Sequence, residues 1–183
     1  DLNGDNKINF GSATPQDRGD LVYLGTTNPR YAYGFNLGLN WRGIDFSVFF
    51  QGVLDRKFVV NPTAMVPYIG TAEQASTIHM DRWTPDNPNA YFARMYQQAS
   101  FNYLTSDRWT QNGNYIRLKN LQIGYKIPVK RGVIKDLRVY ASGQDLWERT
   151  KVLKIFDPEV PNDVRTTAYP FYRSVSFGLN MTL

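Results

Sequence analysis

The sequence predicts an all-β fold, an antiparallel segment of a transmembrane β-barrel with long extracellular loops. Three observations predict it. Five stretches alternate apolar and polar residues with period two, the pattern of a strand whose faces meet different surroundings. The connections between them alternate between short and long. Aromatic residues stand at the strand ends, where a membrane barrel places its interfacial girdles. The last stretch, taken alone, also suits the closing strand of a soluble sandwich.

The first clean strand is expected over residues 31–41. Tyr31, Tyr33, Phe35, Leu37, Leu39 and Trp41 share one face, and Ala32, Gly34, Asn36, Gly38 and Asn40 the other. Arg42-Gly43 supplies a tight turn. The return strand is expected over 44–53, with Ile44, Phe46, Val48 and Phe50 on one face; Phe49 breaks the pattern. A third strand over 115–127 sets Leu121, Ile123, Tyr125 and Ile127 against Asn120, Gln122, Gly124 and Lys126. The fourth, over 137–147, alternates less cleanly because Tyr140 and Leu146 blur it. The last, over 172–183, has Val175, Phe177, Leu179, Met181 and Leu183 facing away from Ser174, Ser176, Gly178, Asn180 and Thr182.

Ten strand residues at a tilt near 45° rise about 23 Å, close to the apolar band of an outer-membrane barrel. If Leu183 is periplasmic, the turns at Arg42-Gly43 and 128–136 are periplasmic too. The long loops 1–30, 54–114 and 148–171 then fall outside, the asymmetry such barrels have. No run of eighteen apolar residues exists, so no transmembrane helix is predicted.

Composition narrows the chemistry. Cysteine is absent, which removes disulfides, thiol catalysis and cysteine metal sites. His79 is the single histidine, so sites built on several histidines are excluded; it reads as an ordinary surface residue. The net charge of +5 is spread along the chain. Its densest basic stretch, Lys126 to Lys154, also holds Asp136, Asp145 and Glu148, which points to a solvated face and no nucleic-acid partner. No spacing singles out a catalytic carboxylate pair, so no enzyme and no catalytic residue is expected.

The loops hold the remaining candidates. Asp1-Leu2-Asn3-Gly4-Asp5-Asn6-Lys7-Ile8-Asn9 resembles the start of a calcium loop, with oxygen side chains at positions one, three and five. The metal candidates are Asp1, Asn3, Asp5, Lys7 and Asn9, with Asp17 or Asp20 as a substitute for the missing twelfth-position Glu. The competing reading is an Asx-rich turn without metal, and no other cofactor is required. In 54–114, Thr71-Ala72-Glu73-Gln74 has the shape of a capping box, predicting a short helix to about Trp83 that Pro85 stops. Trp83, Tyr91 and Trp109 are candidate ligand platforms, although most aromatics of such a loop form its own small core. On the strands, the candidate ligand residues are Asn36, Asp45 and Gln122, within a polar set that includes Asn40, Gln51, Gln144 and Asn180.

Several motifs in order resemble one family. They are Asp1-Leu2-Asn3-Gly4-Asp5; Asp20-Leu21-Val22-Tyr23-Leu24-Gly25 before Asn28-Pro29-Arg30-Tyr31; Asp45-Phe46-Ser47-Val48-Phe49-Phe50-Gln51-Gly52; and Arg82-Trp83-Thr84-Pro85-Asp86-Asn87-Pro88. They continue with Tyr115-Ile116-Arg117-Leu118-Lys119-Asn120, Ser142-Gly143-Gln144-Asp145-Leu146, Asp157-Pro158-Glu159-Val160 and Ser176-Phe177-Gly178-Leu179-Asn180. Together they resemble the C-terminal portion of SusC/RagA-type TonB-dependent outer-membrane transporters. The resemblance implies the last five strands of a barrel of about 22 strands, closed by the remainder of the barrel and holding an N-terminal plug. It implies the outer membrane of a Gram-negative, Bacteroidota-type bacterium, and import of oligosaccharides or peptides with a SusD-like lipoprotein and the TonB complex. The chain, opening on Asp1 without a Met, reads as a piece of a longer polypeptide. The alternative is a secreted calcium-dependent carbohydrate-binding or adhesion β-domain.

Overall fold

The computed structural model describes residues 1–60, 75, 77–96, 104–130, 132–160 and 171–183. Its strands are β1 (Tyr31–Trp41), β2 (Ile44–Leu54), β3 (Lys57–Val59), β4 (Thr110–Asn112), β5 (Tyr115–Ile127), β6 (Asp136–Thr150) and β7 (Ser174–Thr182). β1, β2, β5, β6 and β7 lie side by side in that order as one antiparallel sheet. β3 and β4 pair separately.

The register explains why the five patterns matter together. Leu39, Phe46, Ile123, Ala141 and Phe177 form one row across the sheet, and Leu37, Val48, Leu121, Gly143 and Val175 the next apolar row. Between them run Gly38, Ser47, Gln122, Ser142 and Ser176 on the opposite face. All five alternations are therefore in phase, and a one-residue slip of any strand would send its apolar set to the polar face. The apolar face is bare: Leu39, Ile123 and Phe177 are 59%, 52% and 83% exposed.

Turn chemistry fixes the ends. Arg42 and Gly43 both have positive φ, +47° and +85°, the backbone of a type I′ hairpin whose twist matches its strands. The Arg42 guanidinium lies over the Trp41 ring. This turn and the 128–135 connection share one end of the sheet with Thr182, since Lys126 donates to the Gly43 carbonyl and Lys135 to that of Thr182. Both long connections leave from the other end.

The structure extends β6 beyond the expected 137–147 and explains its blurred pattern. Pairing with β5 shifts between Leu118 and Asn120, which face Trp147 and Gln144. The extra residues form a bulge in which Asp145 takes φ +51°. Leu146 lies over Gly143, and Trp147 returns to the apolar face beside Leu118. β7 starts at Ser174 rather than 172.

The long connections carry structure of their own. β3 and β4 are strands inside 54–114, a stretch without comparable alternation. Phe58, Val60, Phe92, Trp109 and Val152 form a buried cluster, with Ile78, Tyr91, Leu153 and Phe156 against it. It draws on the described residues of both long connections, which pack together there. His79 is 4% exposed and sets its ring edge-on to Phe92, which corrects its reading as a surface residue. The capping box at 71–74 lies outside the described residues. Among the described residues of the stretch expected to run as a helix to Trp83, Thr77–Met80 form a single 3₁₀ turn. It stops there because Asp81–Trp83 turns to bridge the segment around Phe92.

Candidate functional site

Of the strand candidates, Asp45 and Gln122 are brought together on the polar face, and Asn36 stands apart on β1. Asp45 accepts two hydrogen bonds from the Arg138 guanidinium, Nε at 2.8 Å and Nη2 closer still, and the Gln122 side chain also reaches its carboxylate. The pair spans β5 diagonally, from β2 to β6. Gly124 makes this possible, because a Cβ there would meet both the Arg138 guanidinium and the Asp45 carboxylate. The Tyr140 ring likewise lies across Gly178, and Arg138 stacks on Tyr140. Asn36 is exposed beside β2 Phe49, the residue that broke the β2 pattern, whose ring packs over Gly34. This part of the face carries hydrogen-bonding groups, the Asp45–Arg138 ion pair and the rings of Phe49 and Tyr140, with no nucleophile–base arrangement among the described residues.

Toward the long-loop end of the same face lies a cluster that sequence reasoning did not identify. Arg117 is 2% exposed. Its guanidinium donates to Glu148, directly across on β6, and through Nη2 at 2.6 Å to Asp157. Glu159 stands 3.3 Å from Nη1. Lys119, in the bulge, contacts Asp145 at 2.9 Å and Glu159 at 3.1 Å. The Phe171 ring lies about equally far from both cations, 5.4 Å from Arg117 and 5.3 Å from Lys119. From the other long connection, Arg56 donates to the carbonyls of Pro158 and Val160. The usable signal was sign complementarity: two cations at one strand end and an acidic Asp157-Pro158-Glu159 turn in the loop that follows.

The loop aromatics divide. Trp109 is 1% exposed inside the packed body, so its indole has no face open to a ligand. Tyr91 is half-buried; its hydroxyl accepts from Gln111 at 2.6 Å, and burial pushes its phenol above the usual value. Trp83 is exposed enough to meet a ligand, at 36%.

At residues 1–20, Asp1 accepts from the amides of Gly4 and Asn6, Asn3 from Asp5, and Asp5 from Lys7. Asn9 closes the set: its side-chain amide donates to Asp5 and its Oδ1 accepts from Gly11. Asp20 accepts from the amides of Leu2 and Asn9, which ties the first residues to the far side of the loop. These are Asx turns, in which side-chain oxygens stand in for backbone acceptors. Among the described residues, no three His, Cys, Asp or Glu side chains gather as a metal cage.

No family model matches the chain. Two curated relatives from Formosa agariphila do. TonB-dependent receptor P26 is 30% identical over 180 residues, covering 89% of this chain, and TonB-dependent receptor P3 is 29% identical over 197 residues, covering 99%. The chain spans only 18% of the length of each. Among solved structures it resembles the RagAB peptide importer in its open-open state, with TM-score 0.66, 25% identity and 87% of this chain covered. The closed-closed state gives 0.65 at 24% identity and the same coverage. Each match takes in 18% of the solved chain.

Proposed function

The chain is homologous to a segment of the TonB-dependent receptors of the SusC/RagA type, and from that premise we propose that it is part of the barrel wall of an outer-membrane importer. In this reading Leu39, Ile123, Phe177 and Leu179 face lipid, and Asp45, Gln122 and Arg138 line the conduit. The short turns and Leu183 are periplasmic and the packed long loops extracellular. The rest of the polypeptide would supply the closing strands, the plug and the contact with TonB, and a SusD-like lipoprotein would lid the loops. The cargo class is oligosaccharides or peptides, met first by loop residues such as Trp83 and by the polar face.

The observation that carries this reading is the continuous bare apolar face, in phase across five strands. In water its rows of exposed Leu, Ile and Phe would drive association, whereas lipid tails cover them without a protein partner. Among the described residues the outer strands β1 and β7 each leave one edge unpaired, and a barrel tolerates no open edge in lipid. The intact receptor should accordingly stay in the membrane pellet, need detergent for extraction, and migrate in gels differently before and after heating. Recovery in the aqueous phase without detergent would contradict the importer and favour the secreted binding domain. Calcium at Asp1, Asn3, Asp5, Lys7 and Asn9 is a secondary proposal, supported by the oxygen spacing alone.

A further inference from the structure

We propose that the turn Asp157–Val160 is a latch, held onto the polar face by Arg117, so that this turn narrows the long-loop end of the conduit as a fixed element. The conduit rests on the importer reading; the latch does not.

The register puts Arg117 on the polar face, paired with Gln51 on β2 and Glu148 on β6. The turn descends on it with two carboxylates, Asp157 and Glu159, and is self-braced. Asp157 accepts from the Glu159 amide at 2.8 Å through its side chain and from the Val160 amide at 3.1 Å through its carbonyl. Arg56 grips the same turn from the first long connection through two of its carbonyls, and Pro158 is fully buried. Phe171, just before β7, covers the two cations from outside the turn.

Charge makes Arg117 the key member. Two cations, Arg117 and Lys119, face four carboxylates, Asp145, Glu148, Asp157 and Glu159. Without Arg117, one lysine would face all four in a partly desolvated site, where like charges repel strongly. The carboxylates free to leave are those on the turn, because Glu148 and Asp145 are fixed in β6. Loss of Arg117 should therefore release the turn and leave the sheet paired.

The test is amide hydrogen exchange on the intact, detergent-extracted receptor. R117M should speed exchange at Glu159 and Val160 about tenfold, and D157N/E159Q should do the same, while Phe46–Val48 amides are unchanged. The triple variant should be no faster than either parent, because both changes break one shared interaction. Unchanged exchange in R117M, or effects that multiply in the triple variant, would overturn the latch. If R117M does not assemble, D157N/E159Q decides alone: faster exchange supports the latch and unchanged exchange refutes it. Assembly of the unsubstituted receptor as a heat-modifiable barrel reads the importer proposal separately from either result.

Discussion

At the residue scale, the chain solves two problems of placing polar groups. Large side chains on the polar face lie over glycines, as Arg138 does over Gly124 and Tyr140 over Gly178. In the 1–20 loop, carboxylates replace secondary structure as the acceptors of backbone amides. Asp17 is held below the usual carboxylate range chiefly by the Ser12 amide, and Asp20 by the amides of Asn9 and Leu2. A carboxyl depressed in the folded loop stabilises it in full above the unfolded value near 3.8, and that contribution is lost as pH falls through the lower folded value. Amide exchange in 1–20 should therefore be pH-independent in this sense above about pH 5, once corrected for intrinsic rate, and rise below about pH 4. Protection that does not fall at any acid pH would contradict the role given to these two carboxylates. The same measurement with Asp1→Ala/Asp5→Ala, with and without added calcium, tests the metal proposal. Calcium-dependent protection that the double substitution abolishes supports it, and no response to calcium discards it.

At the element scale, what the sequence made legible was whatever repeats. β1 along its whole length and β5 from Asn120 on read cleanly because each separates two surroundings at every step, so period two is written there without a break. β6 was blurred for a physical reason: a bulge at Asp145 slips the phase, and the adjacent Leu146 and Trp147 are its trace. β3 and β4, three residues each, are too short to show a period. His79 and Trp109 were unreadable because a loop core is assembled from contacts distant in sequence. The Arg117–Asp157 pair, 40 residues apart, is the same case. The bulge yields a sharp comparison. Asp145→Gly and Asp145→Val both remove the Lys119 ion pair, but only valine must adopt φ +51° with a branched Cβ. Valine should thus cost roughly 1–2 kcal/mol more than glycine in the unfolding of the intact receptor. Equal costs would mean that the bulge relaxes freely.

At the scale of the whole molecule, the sheet has one face and one end committed. Five strands with sequential neighbours place both short turns at one end, and the described residues of the two long connections pack together at the other. The apolar rows cross all five strands, with Gly143 covered by Leu146, and the polar rows carry the ion pairs. In the importer reading proposed above, such a sheet is a wall with lipid on one side, further strands at both edges and an aqueous interior. The most direct test is a scan of single cysteines, spin-labelled one at a time along β7 in the intact receptor reconstituted in bilayers. The account predicts that labels at Val175, Phe177, Leu179 and Met181 are relaxed by oxygen and shielded from a water-soluble nickel chelate, with Ser176, Gly178 and Asn180 reversed. Uniform accessibility along the strand, or the opposite phase, would contradict a lipid-facing apolar side.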